Sequence, residues 1–432
     1  MHNKTFIIKT FGCKLNFSES AAMERLLSER GYCSVKKTAA QADVYIINSC
    51  AVTEITEKKC KQLIHSIKKH YPNAKIVLVG CFSALENASS LASQVDLMLG
   101  SGNKMQIINE IDILFAEDYN PKIIQDGQEE PFFSSYSINE RTRSFLKIQD
   151  GCDYFCTYCT VPYARGKSRS DSIENVVKHA KEIVANGVKE IVLSGVNTGD
   201  FKTEKGENLF DLLLELEKIA DLQRLRISSI EPNLLTDNII NLVSSSKKLL
   251  PHFHIPLQSG SNAILSKMKR RYSCGLFVDK VRQIKEKMPY ACVAADVIVG
   301  FPGETDALFE KTYQFINSLP LSMLHVFPYS KRPNTIAANM PDHLTNACKN
   351  ARSASLIQLS DVKKEIFYNE NIRKTRKVLI ESKINENYMS GFTENYIRVR
   401  FPYNSLYINQ IKTVKILKID ENSGECNGKI ME

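Results

Sequence analysis

The chain has no tryptophan, which decides nothing, but its other absences are informative. No run of about 18 apolar residues occurs, so no membrane-spanning helix is expected. The first residues, MHNKTFIIKTFGC, hold no extended apolar stretch before a small-residue cleavage site. A secretory signal is therefore not expected, and the reading is a cytoplasmic protein. Low-complexity segments and internal repeats are also missing. Without a secretory signal, the 12 cysteines point to metal or redox chemistry rather than to disulfides.

What is present starts with size and charge. A length of 432 residues leaves room for two or three domains with a sizeable core. A hydrophobic content of 43% and a charged content of 24% are ordinary for a globular protein. The net charge of +9 fits a polyanionic partner such as RNA, and fits a solvated basic surface equally well.

Cys152, Cys156 and Cys159 lie together in KIQDGCDYFCTYCTVPYARGKSR, Lys147 to Arg169. Zinc takes four ligands, usually as two pairs. The nearest further candidates, His179 and Cys274, are distant in sequence. Three thiolates suit a [4Fe-4S] cluster with one iron left open to a substrate or cofactor.

Residues 1–116 read as an α/β unit. Apolar runs at Thr5–Lys9, Val44–Ile47, Ile76–Val79 and Val95–Leu99 predict buried parallel strands, with helices near Ser18–Arg30 and Glu54–His70. This alternation predicts a doubly wound sheet. Cys13, Cys50 and Cys81 follow its first three strands, at the carboxyl edge where ligands collect. They are either a second open-iron triad or ordinary core cysteines. Cys33 and Cys60 fall outside the pattern and read as structural.

Residues 117–143 show no sustained periodicity and read as a linker or covering segment. From 144 to 370 six strand–helix units predict a partial (βα)6 barrel. Its first strand delivers the Cys152 loop to the carboxyl-end face. Other strand ends are polar or Gly-rich: SGVNTGD from Ser194, SSIEP from Ser228, LQSGS from Leu257 and VGFPGET from Val299. Arg332, in FPYSKRPNT, closes the region and is a candidate to face substrate. His252 and His254 alternate on one strand face. With no third ligand, packing or a hydrogen bond is favoured over a metal.

Residues 371–432 are rich in predicted strands and interleave Arg398, Arg400 and six other basic residues with aromatics. A small basic β-barrel with exposed aromatics is a common RNA-binding surface, although several of the aromatics must be core.

These motifs resemble the methylthiotransferase family of radical S-adenosylmethionine (SAM) enzymes, over nearly the whole chain and in its domain order. CxxxCxxC with Tyr158 before the last cysteine resembles the radical SAM signature. GCKLNFSES, INSCAVTE and VLVGC resemble the N-terminal methylthiotransferase domain, and GFTENYIRV resembles the TRAM domain. The resemblance implies two [4Fe-4S] clusters, on Cys152, Cys156 and Cys159 and on Cys13, Cys50 and Cys81. It implies SAM contacts at Tyr158, Ser194, Gly195, Val196, Asn197, Ser229, Glu231 and Gln258. Arg332, Arg398 and Arg400 are the substrate-binding candidates. No catalytic residue is expected beyond the cluster ligands. The implied chemistry adds a methylthio group to a C–H carbon, the second triad holding the sulfur.

LQSGSNAILSKMKRRY and FPYSKRPNT look most like the branch that acts on N6-threonylcarbamoyladenosine at tRNA position 37. N6-isopentenyladenosine-37 or an aspartate of ribosomal protein S12 are the sister substrates. The expected partners are a tRNA anticodon stem-loop and a low-potential flavodoxin- or ferredoxin-like donor, with the sulfur donor unknown. A non-catalytic RNA-binding iron–sulfur protein is the reading from another class.

Overall fold

A computed structural model describes residues 4–35, 41–50, 54–116, 118–124, 132–138, 142–384 and 387–431. The N-terminal sheet comprises β1 (Thr5–Thr10), β2 (Cys33–Ser34), β3 (Val44–Ser49), β4 (Lys75–Gly80), β5 (Leu97–Leu99) and β6 (Lys122–Ile124). All six run parallel, in the order β2-β1-β3-β4-β5-β6. Helices α1 (Lys14–Glu29), α2 (Glu54–His70) and the short α3 (Ile107–Glu110) cover it. Its strands are apolar on both sides, and each face packs a separate core, around Ile47 and Leu78 on one and Ile46 and Val77 on the other.

The segment read as a linker does more than connect. It supplies β6, which pairs with β5, and β7 (Ser135–Tyr136), which runs antiparallel to β8 (Arg143–Lys147). Two- and three-residue strands leave no period in the sequence, which is why the segment looked structureless.

A two-residue ribbon, β9 (Gln149–Asp150) with β10 (Arg169–Ser170), brackets the cysteine loop, and α4 (Val161–Arg165) lies inside it. The remaining parallel strands are β11 (Glu190–Ser194), β12 (Arg224–Ile227), β13 (His252–His254), β14 (Cys292–Val299) and β15 (Met323–Pro328). The order β7-β8-β11-β12 continues through isolated bridges (Leu225 to Leu249, Ser229 to His254) into β13-β14-β15. This is the expected partial barrel of six parallel strands, with one antiparallel strand at its edge.

Outside it lie α5 (Ile173–Ala185), α6 (Leu209–Glu217), α7 (Asp237–Ser245), α8 (Asn262–Lys267), α9 (Cys274–Lys287), α10 (Asp306–Ser318) and α11 (Asn346–Asn369). Ser172, Asn208, Thr236, Ser273, Thr305 and Thr345 each cap a helix with a side-chain oxygen.

The last strands, β16 (Thr375–Lys383), β17 (Tyr388–Thr393), β18 (Arg398–Pro402), β19 (Ile411–Ile419) and β20 (Cys426–Ile430), close into a barrel. It seals the amino-end face of the larger one. Arg224 and Arg226 donate to the carbonyls of Phe392 and Glu394, and Arg143 ion-pairs with Glu381. The Tyr396 ring lies 4.3 Å from that of His252 and 4.9 Å from the Arg226 guanidinium. The GFTENYIRV segment therefore serves here as a plug.

Candidate functional site: two cysteine triads joined by a buried ion network

Cys13, Cys50 and Cys81 follow β1, β3 and β4, which are neighbours in the sheet. Gly12 has φ +127°, and a Cβ there would stand 2.6 Å from Cys50 Cβ. Gly80 has φ +105°, with a Cβ position 2.5 Å from the Ser49 carbonyl oxygen. Only glycine lets these cysteine-bearing turns approach so closely.

The other triad sits on the loop after β9. Burial pushes the Cys152 thiol up to about 11 and the Cys159 thiol to about 12, and raises Cys156 as well. Groups like these lie idle as thiols and become thiolates when a metal displaces the proton. Donors already face two of the sulfurs: Arg270 Nη1 lies 3.0 Å from Cys156 Sγ, and the Val161 amide 3.4 Å from Cys159 Sγ. Arg270 also reaches the Tyr158 hydroxyl at 3.3 Å and ion-pairs with Glu231.

The expected cofactor contacts gather on the same face. Ser194 is buried, and Gly195 and Val196 are half-buried beside it. The Asn197 amide N–H donates to Gln149 Oε1 at 2.9 Å, and its buried side chain has a partner only in the Tyr154 hydroxyl, which leaves one of its two polar atoms unpaired. The Gln258 side-chain oxygen is equally unpaired, on a backbone with φ +62°. Ser229 bridges to His254. Such orphaned groups are costly unless a bound molecule satisfies them. Together with the three open thiols, they fit an iron–sulfur cluster and a polar cofactor.

Glu19 of α1 is completely buried. It contacts Lys104 Nζ at 2.5 Å, Lys147 Nζ at 3.1 Å and Arg165 Nη1 at 3.0 Å. Asp150 takes Lys147 at 2.6 Å and Arg165 at 2.8 Å, with Arg169 at 3.7 Å. Burial opposes ionisation of Glu19, but Arg165, Lys104 and Lys147 outweigh it and hold the carboxyl far below its usual range. Four cations thus surround two carboxylates. Arg165 Nε donates to Cys81 Sγ at 2.9 Å, and its charge is also felt at Cys13. The surplus positive charge fits an anionic group held by Cys13, Cys50 and Cys81. Arg165 lies six residues beyond Cys159, so one side chain spans from one triad's loop to the other.

Other expected residues have different settings. Arg332 is 4% exposed and ion-pairs with Glu57 of α2, tying barrel to N-terminal sheet. Arg398 pairs with Glu425 at 2.9 Å and Arg400 with Asp420 at 3.3 Å, on the small barrel. Cys60 is buried in a core and Cys33 is exposed. The sequence reading missed Glu19, Lys104, Arg165 and Arg270, whose partners are distant in the chain. It also missed Phe155 and Tyr163, an exposed edge-to-face pair 5.8 Å apart on the cysteine loop.

The chain matches the Radical SAM superfamily over residues 146–316 and the uncharacterized protein family UPF0004 over residues 5–100. It is 38% identical over 425 residues to the threonylcarbamoyladenosine tRNA methylthiotransferase MtaB of Bacillus subtilis, covering 96% of this chain and 94% of that one. The MtaB of Thermotoga maritima is 36% identical, covering 99% and 98%. The tRNA-2-methylthio-N(6)-dimethylallyladenosine synthase of Thermodesulfovibrio yellowstonii is 31% identical, covering 98% and 99%. Among solved structures, the radical S-adenosylmethionine methyltransferase TsrM of Kitasatospora setae aligns with TM-score 0.56 at 12% identity, over 78% of this chain and 77% of that one. That likeness concerns the fold alone.

Proposed function

The chain belongs to the methylthiotransferase family of radical SAM enzymes, and from that premise we propose that it adds a methylthio group to C2 of N6-threonylcarbamoyladenosine at tRNA position 37. The observation that carries the reading is Arg165: it lies six residues beyond Cys159, donates to Cys81 Sγ and ion-pairs with Glu19 and Asp150, so the two cysteine-bearing loops meet at one buried network.

Family membership implies SAM and one [4Fe-4S] cluster, which Cys152, Cys156 and Cys159 would hold. When bound, they supply one-electron cleavage of the sulfonium and hence a radical able to take hydrogen from an unactivated C–H bond. A second cluster, on Cys13, Cys50 and Cys81, is part of the proposal and would hold the sulfur. Arg270 fixes the Cys156 sulfur, and Glu231 fixes Arg270. Asn197 and Gln258 offer unpaired polar groups to the cofactor, with Tyr158, Ser194, Gly195, Val196 and Ser229 around them. The α1 helix packs against β7 and β8 and excludes water from the junction.

Phe155 and Tyr163 provide exposed rings on which loop bases of an anticodon can stack. A cleft of about 700 Å³ between the two barrels is lined by Lys247 and Lys377, which offer charge to phosphates, beside Arg224 and Arg376, which are paired with Glu190 and Glu394. Arg398 and Arg400 add to that basic surface, and Arg332 steadies the domain junction. We assign residues 1–116, 144–370 and 371–432 to sulfur-holding, radical and RNA-binding domains, joined by 117–143. A soluble cytoplasmic setting and a flavodoxin- or ferredoxin-like donor complete the proposal.

Nucleoside mass spectrometry of tRNA from a deletion strain tests it. The methylthio nucleoside should vanish and N6-threonylcarbamoyladenosine accumulate. Accumulation of N6-isopentenyladenosine instead would select the sister substrate.

A further inference from the structure

The neck of the cysteine loop carries a polar clamp that the chemistry above does not use. Gln149, the first residue of β9, is completely buried. Its Nε2 donates to the carbonyls of Asp150 at 3.0 Å and Gly151 at 2.8 Å, and faces Ser168 Oγ at 3.0 Å. Its Oε1 accepts the Asn197 amide N–H at 2.9 Å. Backbone partners on both sides fix which way the amide points. Ser168, just ahead of β10, donates its own hydroxyl proton to Asp200 Oδ2 at 2.5 Å. Asp200 closes the turn Thr198–Asp200 that follows Asn197. Two side chains, bonded to each other, thus run from the loop that bears Cys152 to the strand end after β11.

Two glycines admit this arrangement. Gly151 has φ +70°, and a Cβ there would stand 1.9 Å from the Lys167 carbonyl oxygen, so the two ends of the loop touch. A Cβ on Gly195 would stand 2.9 Å from Gln149 Oε1. A buried amide is costly unless its donor and its acceptor are both satisfied. An apolar side chain of the same size would fill the space but could not fix the backbone of Asn197. A glutamate would accept from Asn197 but offer nothing to the Gly151 carbonyl. The position therefore calls for glutamine. Asn197 keeps an unpaired polar atom on its own buried side chain. Tying its backbone to the cysteine loop sets where that atom stands relative to the three thiols.

We propose that Gln149, assisted by Ser168, is a positioning residue for SAM: it ties the Ser194–Asn197 strand end to the loop of Cys152, Cys156 and Cys159, so that the two meet the cofactor as one unit. The assignment rests on the placement of SAM at that strand end given above. Gln149 acts through Asn197 and Gly151, since its donors are spent on the loop and its acceptor on the turn. Ordering the turn in advance spares the ligand that cost on binding.

The test uses full-length protein, anaerobically reconstituted, and needs no RNA. Equilibrium dialysis measures SAM affinity, and the change that SAM makes in the EPR spectrum of the reduced protein is followed in the same titration. Gln149→Met should weaken SAM binding about 10- to 100-fold, the range of one to two hydrogen bonds. Iron per chain should be unchanged, and the wild-type EPR spectrum should be reached at saturation. Ser168→Ala should weaken binding less, about 3- to 10-fold. Asn197→Ala should weaken it as well. In the double variant with Gln149→Met the two losses should fall well short of multiplying, because one residue acts through the other. Losses that multiply would overturn the proposal. So would wild-type affinity in Gln149→Met or, should that variant lose iron, wild-type affinity in Ser168→Ala. Failure of wild type to bind SAM would overturn the placement of the cofactor along with the clamp, whereas the choice of RNA substrate is untouched by any of these results.

Discussion

Glu19 is the strongest single test of the junction between the N-terminal sheet and the barrel. Glu19→Gln keeps the shape and removes the charge. Lys147 and Arg165 then keep Asp150, while Lys104 loses its ion-pair partner, inside a region that water does not reach. Removing one partner of a buried ion pair costs about 3–5 kcal/mol. At 2–4 °C per kcal/mol for a large domain, the melting temperature should fall by roughly 10 °C.

The pH dependence provides a second readout. The folded-state pKa of Glu19 is depressed, so its contribution is fully present above the unfolded carboxyl value of about 4.3. That contribution is lost as pH falls below it. Glu19→Gln should therefore be less stable at pH 7 yet lose less on acidification. Anaerobic thermal unfolding followed by far-UV circular dichroism across a pH series measures both. A melting shift under about 2 °C, or an acid limb identical to wild type, would refute the reasoning.

Other perturbations separate neighbouring roles. Arg270→Met removes the donor to Cys156 and should lower the potential of a cluster bound there, by electrochemical titration, as well as slowing SAM cleavage. Arg332→Met and Glu57→Gln should give the same loss of stability, about 2–4 kcal/mol, if the pair only joins domains. A larger effect of Arg332→Met on KM for tRNA would assign it to substrate. Tyr396→Ala removes the plug against His252 and Arg226 and should cost about 2–3 kcal/mol by the same unfolding assay.

Legibility from sequence followed the range of the interactions involved. The six cysteines could be picked out because each lies on a short motif after an apolar run, and the helices because Ser172, Thr236, Ser273 and Thr305 cap them locally. Glu19 was invisible, since it meets Lys104, Lys147 and Arg165 from 85 to 146 residues away. His254 seemed to lack a third ligand because Asp296 and His325 arrive on neighbouring strands rather than in the same stretch. The GFTENYIRV segment read as an RNA surface because its aromatics are interleaved with charge. Only the packing of Tyr396 on His252 shows which way that aromatic turns.

The most direct measurement is nucleoside mass spectrometry after incubating reconstituted protein, SAM and a reductant with tRNA bearing N6-threonylcarbamoyladenosine at position 37. The account expects the 2-methylthio nucleoside from wild type. It expects none from Cys81→Ala, which should still form 5′-deoxyadenosine. An unchanged nucleoside from wild type in the presence of 5′-deoxyadenosine, or a methylthio product from Cys81→Ala, would contradict it.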